Sequence, residues 1–275
     1  MEPANLVPIP GAPVLELLMP GSRPRILLAD LHLGLGATPA QAQGPPGASA
    51  PELALELVRL ADRRRAYGLI IVGDVKHPIV GTPRPLRPVV FDFFSTLLSA
   101  GLAVDVVLGN HDVGLVRHLP KEVEVHGAGG CVVDGIGLFH GHRWPSNAVM
   151  KSDYLVAGHL HPGYRLAPSA DSARGKERCW LRVSFPEPRH RPKRRSPAAA
   201  LAARQMIVMP AFNPLAGTES LNRQRPRLSR SFLFHRFVLR GQARAYLLDG
   251  TDLGPLPRRR VAALPESPAP APPAP

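Results

Sequence analysis

Five short fragments of this chain carry side chains of the types that can bind metal ions. They are Asp30-Leu31-His32, Gly73-Asp74, Gly109-Asn110-His111-Asp112, His140-Gly141-His142 and Gly158-His159-Leu160-His161. Mixed imidazole, carboxylate and amide ligation suits Mn²⁺, Fe or Zn²⁺ better than Mg²⁺ alone. Neither Cys131 nor Cys179 is needed for such a set. Two divalent cations about 3.5–4 Å apart, bridged by one carboxylate, form an established hydrolytic centre. In an extended strand end, residues i and i+2 point to the same side. Asp30 with His32, and His159 with His161, can therefore each aim two ligands into one pocket. Gly73 lets the backbone turn sharply, so that the Asp74 carboxylate reaches between two ions. Taken singly, the fragments are ordinary: Asp-x-His also describes a turn Asp beside a surface His, and Gly-Asp is common turn chemistry. Five of them, each behind an apolar run, point to a metal centre.

The apolar runs are the elements that must position these residues. Arg25–Ala29, Leu69–Val72 and Val104–Leu108 read as buried strands, and each leads into a fragment. Further strands are expected at 131–133, 136–139, 154–157, 206–209, 232–239 and 243–248, with another in the Cys179–Phe185 run. Ser49-Ala50-Pro51-Glu52 has the form of a capping box. Leu53, Leu57, Leu60 and Ala61 follow at helical spacing, with Arg63-Arg64-Arg65 in the last turn and Gly68 as a stop. A second helix is expected over 88–100, ended by Gly101. Strand and helix in alternation, then mostly strands, indicate an α/β fold with mixed sheets rather than an all-parallel one. Polar residues at the carboxyl ends of its strands lie where open α/β folds place their sites.

The chain of 275 residues carries 34 Lys+Arg and 21 Asp+Glu, a net charge of +13. Residues 1–170 are balanced at 14 of each, while residues 171–275 hold 20 basic and 7 acidic residues. The whole excess thus lies in the last two-fifths, which suggests a polyanionic partner such as DNA or RNA. Residues 174–195 and 223–260 are the basic stretches that would meet it. Arginine that merely solvates loops is the competing explanation. The expected organisation is one folded unit over 10–254, with a basic, Pro- and Arg-rich insertion at 168–204. A tail at 255–275, with 8 Pro in 21 residues, reads as disordered. Two cysteines, no signal-peptide pattern and no apolar run of about 18 residues imply a cytoplasmic protein with no membrane partner.

The five fragments resemble, in order, the full motif set of the calcineurin-like metallophosphoesterase superfamily over about residues 30–161. Ala29–Gly34, Gly158–Pro162 and Met209-Pro210-Ala211-Phe212-Asn213-Pro214-Leu215 are most similar to the DNA-ligase-associated phosphoesterases and their archaeal relatives. The resemblance implies an αββα sandwich and a two-metal phosphoesterase in which a metal-activated water attacks the phosphodiester. It assigns Asp30, His32 and His161 to one metal, Asp74 to the bridge, and Asn110, His140 and His159 to the other. His111 would donate a proton to the leaving oxygen and be polarised by Asp112. Arg143 and His142, with Lys76 and His77, lie beside motifs and could steady a phosphate. Mn²⁺ is the first expectation, with Fe, Zn²⁺ or Ni²⁺ as alternatives. A phosphatase or cyclic-nucleotide phosphodiesterase on the same centre, and a non-catalytic scaffold binding nucleic acid, are the competing functions.

Overall fold

The structure is a computed structural model and describes residues 5–35, 49–166, 175–185, 204–222, 231–238 and 242–256. The first sheet contains β1 (Asn5–Pro8), β2 (Leu15–Leu18), β3 (Arg25–Leu28), β4 (Gly68–Val72), β5 (Ala103–Val107) and β6 (Glu124–His126), side by side in that order. β1 to β3 run antiparallel and β3 to β6 parallel. The second contains β7 (Cys131–Val133), β8 (Ile136–Phe139), β9 (Tyr154–Ala157), β10 (Pro162–Arg165), β11 (Lys176–Ser184), β12 (Gln205–Val208) and β13 (Glu219–Ser220). Its order is β13-β10-β11-β12-β9-β8-β7. β14 (Gln242–Leu247) pairs with β11, and β15 (Asp252–Pro255) with β14. Within this sheet β8, β9 and β12 are parallel neighbours. The mixed α/β class expected from the sequence is present.

β4 shows why its sequence has no alternation. Leu69 and Ile71 pack towards α1 (Ala50–Arg64) and α2 (Leu86–Ser99), while Ile70 and Val72 face the other sheet. A strand covered on both faces needs apolar residues at every position. β3 divides in the same way, Ile26 and Leu28 to the helices, Leu27 and Ala29 to the intersheet core. Ile136, Leu138, Val156, Trp180 and Met209 meet them from the second sheet. That sheet's outer face is covered by α3 (Asn147–Met150) and α4 (Phe232–Arg236) through Val149, Met150, Leu233, Phe234 and Phe237. Helices, sheet, sheet and helices thus form four layers.

α1 begins at the expected capping box, with the Ser49 N–H donating to the Glu52 carboxylate at 3.0 Å. It ends earlier than expected: Arg65 turns left-handed (φ 53°) and closes the helix, while Gly68 opens β4. The strand expected at 232–239 is instead α4. Leu233 with Phe237, and Phe234 with Val238, are buried at a spacing of four, which a helix puts on one face. A short apolar run does not separate the two by itself. The strand expected within 168–204 is β11, paired with β10, β12 and β14, with Cys179, Leu181 and Val183 in the core. Residues 168–174, 186–203 and 223–230 and most of the Pro-rich tail lie outside the described residues. Among the described residues no helix is long and apolar enough to cross a membrane.

Candidate metal centre

All five fragments come to one place. Asp30 and His32 follow β3, Asp74 follows β4, and Asn110, His111 and Asp112 follow β5. His140 follows β8 and His159 and His161 follow β9, so the carboxyl ends of the parallel strands in both sheets converge. The backbone that achieves this is left-handed at Asp30 (φ 59°), His32 (45°), Asp74 (51°), His159 (72°) and His161 (42°). Extended strand ends, as the i, i+2 reading supposed, do not occur there. Left-handed geometry costs an L-residue roughly 1–2 kcal/mol. Among described non-glycine residues only Arg65 and Asp134 share it elsewhere, so backbone strain is concentrated at this site. Leu31 and Leu160, between the paired ligand candidates, point into the two helix-side cores and anchor the turns.

Two groups have the composition of cation sites: Asp30, His32 and His161, and Asp74, His140 and His159. In each, the candidate ligand atoms lie within 4.8 Å of one another. His161 Nε2 is 3.4 Å from Asp30 Oδ1 and 3.2 Å from His32 Nε2. His140 Nε2 is 3.2 Å from both Asp74 Oδ2 and Asn110 Oδ1. Asp74 Oδ2 lies 3.8 Å from the Nε2 atoms of His32 and His111, so this carboxylate faces both groups. His32, His77 and His111 form a third cluster that shares His32 with the first.

Backbone carbonyls fix the rings. His140 Nδ1 donates to the Val72 carbonyl at 3.0 Å, and His161 Nδ1 to that of Ala216 at 3.3 Å, which leaves each Nε2 for the centre. The His159 N–H donates to Asp30 Oδ2 at 3.1 Å and the His111 N–H to Asp74 Oδ1 at 2.9 Å. Close approach requires glycine twice. A Cβ on Gly73, itself left-handed at φ 85°, would lie 2.2 Å from His140 Nδ1, and one on Gly109 would lie 2.2 Å from Asp74 Oδ1. Gly109→Ala is therefore expected to push Asp74 aside and weaken Mn²⁺ binding about 10- to 100-fold, the scale of a lost supporting contact. A Mn²⁺ titration checks this, and unchanged affinity would contradict the placement.

The charges complement one another. Burial opposes ionisation of Asp30 and Asp74, but His161 beside the first and His140 beside the second hold both well below the usual carboxylate range. Burial also disfavours a charged His140, yet Asp74, Asp30 and the Val72 carbonyl outweigh it and raise the ring to about 9. His161 is raised against its burial by Asp30. Burial lowers His32 to about 4, and burial with the His140 charge does the same to His159. His140 Nε2 thus lies between two oxygen atoms, Asp74 Oδ2 and Asn110 Oδ1, in surroundings that favour a positive charge. A cation there would meet the same oxygen atoms.

His111 presents Nε2 to Asp74, and its Nδ1 is held by the His77 carbonyl rather than by Asp112. Asp112 is buried among backbone donors: Oδ2 accepts from Gly109 N–H at 2.8 Å and Oδ1 from Val75 N–H at 2.9 Å and Lys76 N–H at 3.3 Å. It ties the two loops together and does not polarise the His111 ring. Lys76 is fully buried, and its Nζ donates to the carbonyls of Pro78 and His111, so it does not reach a phosphate. His142 sits half-buried, its ring centroid 5.5 Å from that of His140, and Arg143 is exposed next to it.

A solved structure has the same fold. The chain is similar to the crystal structure of Pseudomonas putida nuclease MPE, with a TM-score of 0.53 and 20% identity. The match covers 90% of this chain and all of that one. At this identity the likeness is one of fold. No protein-family model and no curated protein matches the chain.

Asn213 supports the site from below. Its Nδ2 donates to the Leu31 carbonyl at 2.8 Å and its Oδ1 accepts from the Leu215 N–H at 2.9 Å, while the Phe212 N–H donates to the Ala29 carbonyl at 2.8 Å. The Met209–Leu215 segment thus packs under the Asp30–His32 turn. Sequence reasoning left the role of Asn213 open, and it missed the Val72, His77 and Ala216 carbonyls, which carry no side-chain signature.

Proposed function

We propose that this chain is a metal-dependent phosphodiesterase of the calcineurin-like metallophosphoesterase superfamily that acts on nucleic acid. The observation that carries the reading is the pair of acid–histidine groups around Asp30 and Asp74, side by side at the carboxyl ends of parallel strands. The nuclease neighbour supports the choice of substrate. Asp30, His32 and His161 would hold one cation and Asn110, His140 and His159 the other, with Asp74 facing both. Mn²⁺ is favoured, with Fe, Zn²⁺ or Ni²⁺ as alternatives. Cations bound there would supply Lewis-acid stabilisation of a phosphoryl group and acidify a water.

The chain's own residues then orient and protonate. Asp74 and the Val72 carbonyl hold His140, Asp112 and Lys76 fix the loop of His111, and His77 pins His111 Nδ1–H. A second proton on His111 Nε2 would be delivered to the leaving oxygen. His142 and Arg143 lie at the edge of the centre, where a phosphate oxygen would enter. The basic segments within 174–195 and 223–260 would hold DNA or RNA from flanking regions. Neutralising residues 189–195 tests that part without removing β11, and should weaken binding most at low salt.

Metal affinity should depend on pH with a defined sign. His140 is raised above its ordinary value, so it is protonated at pH 7 and must lose that proton to bind a cation. Mn²⁺ affinity is expected to rise about tenfold per pH unit and to level off above about pH 9. Titration at pH 7 and pH 8 reads this directly, and equal affinities would contradict a His140 held protonated by Asp74. A substrate panel with Mn²⁺ should favour diesters and DNA over monoesters. Preference for a monoester or a cyclic nucleotide would replace the nucleic-acid reading.

A further inference from the structure

We propose that an apolar lip beside His111 receives an unpaired nucleobase next to the phosphodiester, an inference that rests on the phosphodiesterase reading above. The lip consists of Ile79 and Val80, after β4, and Val113 and Val116, after β5. They are 54%, 86%, 60% and 51% exposed. Single exposed aliphatics are ordinary, but these belong to two loops in contact, with a Cβ on Gly114 only 3.9 Å from Gly81 Cα. Contiguous apolar surface open to water marks an interaction site.

The lip is also rigid and tied to the centre. Lys76 Nζ bridges the Pro78 and His111 carbonyls, His111 Nδ1 is bound to the His77 carbonyl, and the Asp112 carboxylate holds Val75, Lys76 and Gly109. Arg87 Nε donates to the Thr82 carbonyl at 3.1 Å and anchors the far side of the first loop. The His77 ring stacks on His111 at 5.8 Å and lies 5.5 Å from the His32 ring, which joins the base of the first loop to the candidate ligands.

Charge selects the occupant. Segments 77–91 and 113–119 carry exposed Arg84, Arg87 and Arg117 and contain no Asp or Glu. An apolar surface beside these guanidinium groups matches a ligand with flat apolar faces on an anionic backbone, which is single-stranded nucleic acid. Aliphatic side chains serve as wedges against unstacked bases. In a duplex those faces are hidden in the stack, so the lip favours unpaired substrate.

The test compares the full chain with a Val80→Ser/Val113→Ser variant by fluorescence anisotropy, in chelator and at one fixed salt concentration. The probes are a labelled single-stranded oligonucleotide of about 12 nucleotides and its abasic counterpart. The variant is expected to bind the intact strand about five- to tenfold more weakly, as loss of part of a base contact would give, and the abasic strand as the wild type does. Equal losses on both strands, no loss on either, or no binding by the wild type would overturn the proposal. Matching unfolding midpoints exclude a folding defect. With Mn²⁺, hydrolysis of the abasic strand, which presents no flat apolar ring to the lip, should be unchanged in the variant. Its absence in the wild type would remove the phosphodiesterase reading itself, whereas its presence without a lip effect would remove only the lip.

Discussion

Asp74→Asn is expected to lower phosphodiester hydrolysis by about 10³-fold or more, the scale reached when a central electrostatic contributor to a transition state is lost. The substitution keeps volume and shape, so the His111 N–H can still donate to the remaining oxygen. What disappears is the negative charge that faces both cation groups and the partner that holds His140 up at about 9. The His140 ring should therefore titrate at lower pH in the variant, which NMR can follow. Mn²⁺ affinity should fall with the rate. Because Asp30 and Asp74 repel each other in the metal-free chain, the variant should keep a cooperative unfolding transition. Wild-type turnover in Asp74→Asn would dismiss the bridging role.

His111→Ala should separate substrates by their leaving groups. A positioned acid contributes about 10²–10⁴-fold when the departing oxygen is a poor leaving group that needs a proton. A p-nitrophenolate leaves without one. Oligonucleotide hydrolysis is thus expected to drop by about two orders of magnitude or more, while bis-p-nitrophenyl phosphate hydrolysis changes only a few-fold. His111 Nε2 faces Asp74 at 3.8 Å, so a uniform loss on both substrates would indicate that the ring positions the centre rather than delivering a proton. Added imidazole should restore part of the oligonucleotide rate, since it fills the vacated space and carries the same proton.

The candidate site was largely legible because its side chains lie in short fragments directly behind apolar strands. Asp30, Asp74, Asn110, His140, His159 and His161 could each be read without knowing how the sheets pair. The conformation that joins them was not legible. The left-handed turns at Asp30, His32, His159 and His161 are sustained by tertiary contacts, the burial of Leu31 and Leu160 and hydrogen bonds such as that of Asn213 to the Leu31 carbonyl, none of which a local reading supplies. Asp112 and Lys76 showed the same limit in another form. Their side chains suggest ring polarisation and phosphate binding, but burial turns both towards backbone groups. The core strands β3, β4 and β5 were clear from runs of aliphatic residues, whereas α4 hid in a run whose helical spacing became visible only against the second sheet. β1 and β2 lacked a local signal of their own and owe their existence to sheet pairing, β2 with β3 and β1 with β2.

The central claim is that hydrolysis depends on cations held at this centre, and chelation followed by refilling tests it most directly. Wild-type protein stripped with a chelator, dialysed and assayed on bis-p-nitrophenyl phosphate should be inactive. Activity should return in proportion to the Mn²⁺ bound. Activity that survives complete removal of metal, or a refilled protein that remains inert with every divalent cation, would contradict it.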